Sequence, residues 1–112
     1  VRAGARMGDV SHAIESAGRE AGVEVVREYG GHGIGTEMHE APRIRNWGPA
    51  GRGMRLVEGM TFCLEPMFTL GGYETRVLED GWTVVTADST LSAQFEHTIA
   101  ITPDGPQILS QL

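Results

Sequence analysis

The sequence predicts an α+β domain in which one amphipathic helix is followed by an antiparallel sheet. Three observations predict it. Val10, Ala13, Ile14, Ala17 and Ala21 fall at helical spacing near the start of the chain. After residue 60, short strand-like runs are separated by Gly71-Gly72, Asp80-Gly81 and Pro103-Asp104-Gly105, and the last two are good hairpin turns. Within the longest run, Gln94 to Thr102, successive residues alternate in character as a strand with one buried face requires.

Each element has its own justification. Asp9 is read as the N-cap of the helix, and Gly22 sits where a C-terminal glycine ends one. Val23 to Tyr29 is rich in β-branched residues and reads as a strand that stops at Gly30-Gly31. Glu40 to Gly59, studded with glycine and proline and carrying Trp47, reads as a long irregular connection. Strands are then expected over Thr61 to Pro66, Thr75 to Leu78, Trp82 to Thr86, Gln94 to Thr102 and Gln107 to Leu109.

Composition narrows the function. A chain of 112 residues is one domain at most, able to bury roughly two thirds of its unfolded surface. The net charge of -6 argues against a nucleic-acid footprint, and the local cluster of Arg43, Arg45, Arg52 and Arg55 is read as a solvated loop. No apolar run approaches the ~18 residues of a membrane span. The single cysteine, Cys63, excludes an internal disulfide and lies between Phe62 and Leu64, as a strand-interior residue would. It fits a reducing compartment, the cytoplasm. Val1 to Met7 resemble the tail of an element that begins earlier, so the chain reads as a piece of something longer.

One stretch stands apart, Gly30 to Glu40, which reads GGHGIGTEMHE. Glycine costs about 0.5 to 1 kcal/mol relative to alanine in a regular element, so this density signals positive φ or a close backbone approach around His32. His32 itself is expected at a strand end. Strand alternation sorts the other polar residues: Glu96 shares a face with Gln94, Thr98 and Ala100, and Glu65 shares one with Thr61 and Cys63. Both glutamates avoid the apolar side. His97, on the side of Ile99 and Ile101, is expected to be a hydrogen-bonded core histidine. A carboxylate within a strand is costly to bury unless paired or bound to a metal. His32, Glu65 and Glu96 therefore make a candidate ligand set for Mn, Co, Fe or Zn, against the alternative of water-facing carboxylates and a loop histidine. Zinc-protease helix, phosphate-loop, nucleophile-elbow and CxxC patterns are all absent.

In order along the chain, His32-Gly33-Ile34-Gly35 with His39-Glu40 and Pro42, then Glu65-Pro66-Met67, then Asp80-Gly81-Trp82-Thr83, then Ser92 to Thr98 (SAQFEHT) resemble the motif series of the bacterial-type methionine aminopeptidases. The resemblance runs over essentially the whole chain but covers only the C-terminal half of that family's catalytic domain. It implies a pita-bread (creatinase/aminopeptidase-like) fold. It also implies removal of N-terminal methionine from nascent proteins by a hydroxide bridging two divalent metal ions. On this resemblance His32 and Glu65 ligate one metal, Glu96 bridges both, Glu65 relays a proton and His39 hydrogen-bonds the scissile amide. Trp82 and Met38 lie beside the methionine pocket, although Met38 often corresponds to an aromatic in the family. The glycines beside His32 would let the peptide pass close to the backbone. Substrates would be peptides beginning with Met, with no membrane or specific nucleic-acid partner, and ribosome docking is left open. The family takes two further metal-binding aspartates from its other half, so this chain alone is expected to bind at most one metal and to be inactive. Alternatives are a non-catalytic pita-bread binding module, a proline-specific peptidase of the same fold, and a half-size protein that pairs with another chain.

Overall fold

The computed structural model describes residues 1–112. Helix α1 spans Met7–Glu20, and ten strands follow: β1 Glu24–Val25, β2 Gly31–Gly33, β3 Glu40–Ile44, β4 Thr61–Leu64, β5 Met67–Thr69, β6 Thr75–Val77, β7 Val84–Thr86, β8 Ser92–Gln94, β9 His97–Thr102 and β10 Gly105–Ile108. The strands form a five-stranded sheet in the order β10-β9-β4-β2-β3, a three-stranded sheet β1-β5-β8, and the hairpin β6-β7. Every pairing is antiparallel. The α+β expectation holds. No helix is long and apolar enough to cross a membrane.

Helix α1 begins earlier than its sequence suggests. Arg6, not Asp9, is the extended residue before the first turn, and the Asp9 carboxylate accepts hydrogen bonds from the Arg6 N–H at 2.8 Å and the Gly51 N–H at 2.7 Å. A carboxylate satisfies free helix-end donors from either the cap or the third helical position, which explains the misplacement. Gly22 ends the helix as expected, at φ +76°. Those two backbone donors hold the Asp9 carboxyl below its ordinary 3.8. Its stabilising effect is therefore full above that value and is lost as pH falls through the lowered one. Asp9→Ala is expected to lower the melting temperature at neutral pH, with the gap from the unmodified chain closing well below pH 3.8. A gap independent of pH would show that the carboxylate is not the cause.

Period-two alternation divides the five-stranded sheet into two faces. Phe62, Ile99 and Ile101 point towards α1 and cluster with Met7, Val10, Ile44 and Leu56. Phe62 is 2% exposed, and burying such a side chain contributes roughly 1.5–3 kcal/mol. The opposite face carries Cys63 and Thr98, which are register partners, with His32 opposite Cys63 on the other side. One face thus makes the core and frees the other for chemistry.

Several boundaries differ from expectation. Only Glu24 and Val25 of the Val23–Tyr29 run pair as a strand, because the chain leaves the small sheet and joins the large one at Gly31. His32 lies in the middle of β2, not at a strand end. The first residues of the supposed irregular connection form β3, whose Pro42 is tolerated because β3 is an edge strand where a missing N–H costs no ladder bond. The expected strand Thr61 to Pro66 stops at Leu64, with an unexpected strand β5 beginning beyond Glu65-Pro66. The expected strand Gln94 to Thr102 starts only at His97, its Gln94 closing the separate β8 before a break at Phe95-Glu96. The turns at Gly81 and Gly105, with φ of +70° and +110°, close hairpins as expected. His97 is exposed rather than core, although its Nδ1 does meet Ser110 Oγ at 3.1 Å. The helix packs over Ile99 and Ile101, leaving the start of β9 uncovered.

Candidate functional site

The two strand breaks create the site. Leu64 pairs with His97 on one side of them and Met67 with Gln94 on the other, so the register is unchanged across the gap and Glu65 falls opposite Glu96. The Phe95 N–H donates to the Pro66 carbonyl at 3.1 Å and keeps the two segments together. Two carboxylates placed face to face repel each other. Burial first, and then the Glu96 charge, push the Glu65 carboxyl above its ordinary 4.5, while His32 and His39 pull the other way.

His32 completes the constellation from β2. Its Nδ1–H donates to the Gly33 carbonyl at 2.8 Å, which fixes the tautomer and leaves Nε2 facing the carboxylates. Nε2 lies 3.3 Å from Glu65 Oε1. With Nδ1 already committed as donor, that contact needs one proton between the two atoms, or a cation in its place. The His39 ring sits 4.4 Å from the His32 ring, centre to centre, at the entry to β3. His32 thus lies 3.3 Å from Glu65 and within 4.8 Å of a Glu96 carboxylate oxygen, although Glu65 is not in the mutually close group, which is completed by Cys63. Imidazole and carboxylate donors of this kind suit a mid-row divalent cation.

The glycines around His32 are explained by the chain's own strands. A Cβ on Gly31 would stand 2.0 Å from the Cys63 carbonyl oxygen, and one on Gly33 would stand 2.3 Å from that of Ala41. Neither glycine has positive φ. The close approach expected from the sequence is real, but what approaches is β4 and β3; the passing peptide is not needed to explain these two residues.

Among the pocket residues, Trp82 and Met38 fare differently. Trp82, 86% exposed, helps line a cavity of about 590 Å³ together with Glu65, Tyr29 and Met67. Met38 is 72% exposed and is not among the residues lining that cavity. Two residues near the site escaped sequence reasoning. Asn46 is fully buried, and its Nδ2 donates to the Glu65 carbonyl at 3.4 Å, bracing the broken strand. Nothing in its loop setting marks it. Cys63, read as interior filler, places Sγ with ligand atoms of His32 and Glu96 in a group whose members all lie within 4.8 Å of one another. Its shared face with Glu65 was the available signal.

The model of metallopeptidase family M24 matches residues 1–103. Methionine aminopeptidase A of Synechocystis sp. is 50% identical over 110 residues, which are 98% of this chain and 44% of that protein. Methionine aminopeptidase of Rickettsia prowazekii is 50% identical over 111 residues, 98% of this chain and 43% of that one. The crystal structure of the Rickettsia prowazekii enzyme superposes with a TM-score of 0.95, covering 99% of this chain and 45% of that chain. Methionine aminopeptidase from Thermotoga maritima gives 0.97 at 47% identity, covering 100% and 45%. The chain spans less than half the length of the curated relatives it matches.

Proposed function

The chain belongs to metallopeptidase family M24, and from that premise we propose that His32, Glu65, Glu96 and His39 form part of the active site of a methionine aminopeptidase. The observation that carries this reading is the convergence of the His32 Nε2 with Glu65, directly opposite Glu96 across the strand break. The likeness to methionine aminopeptidases over nearly all of this chain supports the same substrate class, peptides beginning with methionine.

His32, Glu65 and Glu96 would hold divalent metal, with Co, Mn, Fe and Zn all compatible with the donor set. When bound, such an ion supplies the Lewis acidity that makes hydroxide available at neutral pH. His39, beside His32, donates to the scissile amide and stabilises negative charge growing on its oxygen, a task worth about 2.7–4 kcal/mol for one such donor. The Glu65 carboxylate would take a proton from the attacking water and relay it to the departing amine. Trp82 walls the cavity that takes the methionine side chain.

Within this chain the cluster has two carboxylates and one imidazole, enough for one ion. Calorimetric titration of the 112-residue chain with Mn2+ is expected to show a single site, and the chain alone is expected to leave Met-Ala peptides intact. Splicing it behind the segment that precedes the matched region of the Rickettsia prowazekii enzyme is expected to restore methionine release, and His39→Ala to remove it. A folded chimera that stays silent would contradict the assignment. Release by the chain alone at a comparable rate would contradict the partial site.

A further inference from the structure

The face that carries Glu65 also carries Cys63, two residues earlier on β4. Cross-strand register sets Cys63 between His32 on β2 and Thr98 on β9. The residue is 2% exposed, and its Sγ has one polar side-chain contact, the Thr98 hydroxyl at 3.4 Å. Sγ, a ring nitrogen of His32 and a carboxylate oxygen of Glu96 all lie within 4.8 Å of one another. Ligands of a tetrahedral zinc ion, at about 2.0 to 2.3 Å from the metal, stand roughly 3.5 Å apart. Metal binding would draw the three donor atoms together from within 4.8 Å to roughly 3.5 Å.

We propose that Cys63 is a metal ligand, its sulfur joining His32 and Glu96 around one cation and biasing the site towards thiophilic Zn2+ over Mn2+. The inference rests on the reading of His32 and Glu96 as ligands and adds to it a soft donor. Binding converts the thiol to thiolate: the S–H proton leaves to solvent, a sulfur–metal bond forms, and one metal-bound water departs. The Thr98 hydroxyl, 3.4 Å from Sγ, donates to the thiolate and holds it in place. Thiolate selects zinc among the divalent ions that imidazole and carboxylate also accept, whereas manganese prefers oxygen donors. A strand of the same shape with threonine or serine at residue 63 would lack this preference.

Cobalt(II) reports the distinction directly, because this chain has a single cysteine. Titrating the 112-residue chain with Co2+ is expected to produce visible d–d bands together with a near-ultraviolet sulfur-to-cobalt charge-transfer band. In Cys63→Ser the d–d bands are expected to remain and the charge-transfer band to vanish. The ratio of Zn2+ to Mn2+ affinity is expected to fall by roughly tenfold or more, at least the low end of the loss seen when a metal's supporting shell is disturbed. Zinc X-ray absorption on the unmodified chain needs no variant and is expected to show one sulfur at about 2.3 Å. Cobalt that binds with d–d bands but no charge-transfer band, or zinc with only nitrogen and oxygen neighbours, overturns the role of Cys63 and leaves His32 and Glu96 standing. Absence of Co2+ binding altogether overturns both.

Discussion

Gly31→Ala is expected to cost upwards of about 3 kcal/mol, beyond the usual range for an overpacked site, and to leave much of the chain unfolded at room temperature. The added methyl would lie 2.0 Å from the Cys63 carbonyl oxygen, a backbone atom that moves only if β2 parts from β4. That parting would undo the register that sets His32 opposite Cys63. Urea unfolding followed by circular dichroism measures the loss, as a lower midpoint. A midpoint near that of the unmodified chain would mean that the strands do not need their close approach, and that the glycines beside His32 serve some other end.

Glu96→Gln is expected to act in opposite directions on binding and on stability. Removing one of three oxygen and nitrogen donors should weaken Mn2+ binding by more than the 10–100-fold that follows loss of a supporting residue. In the chelator-treated chain the same change removes the charge that, after burial, most raises the Glu65 carboxyl. A carboxyl whose folded pKa exceeds its unfolded one resists ionising, so its cost to the fold appears as pH rises past 4.5 and through the raised value. The metal-free variant should therefore melt higher than the unmodified chain above that window and equally below it. His32→Ala is expected to match the loss of binding without the gain in stability, since the imidazole lowers the Glu65 carboxyl. Calorimetry for binding and thermal melts across pH for stability check the pair. A Glu96→Gln chain that binds Mn2+ normally, or melts lower without metal, would separate Glu96 from Glu65.

Local chemistry was legible in the sequence and long-range register was not. Asp80-Gly81 and Pro103-Asp104-Gly105 encode their hairpins within a few residues. Of the α1 stripe, by contrast, only Val10 and, in part, Ile14 reach the core, and Ala13, Ala17 and Ala21 are exposed because the helix turns Met7, Ser11 and Gly18 inward instead. The alternation that kept Glu65 and Glu96 off the apolar side needed only a period of two. Their meeting needed the pairing of β4 with β9 and of β5 with β8, which no spacing within either strand specifies. Pro42 disguised an edge strand as a loop, and Asp9 disguised a third helical position as a cap, because each residue satisfies the backbone in more than one place. Asn46 is a further case: its Nδ2–H reaches the Glu65 carbonyl from a segment whose path depends on contacts far along the chain.

The proposed function depends on one cation being gripped by side chains from β2 and from both strand breaks. Diffraction at the manganese absorption edge from crystals of the chain grown with Mn2+ tests this most directly. The anomalous difference map should hold a single strong peak bonded to His32 Nε2 and to carboxylate oxygens of Glu65 and Glu96. A map with no peak there, or with the metal elsewhere and water around those three side chains, would contradict it.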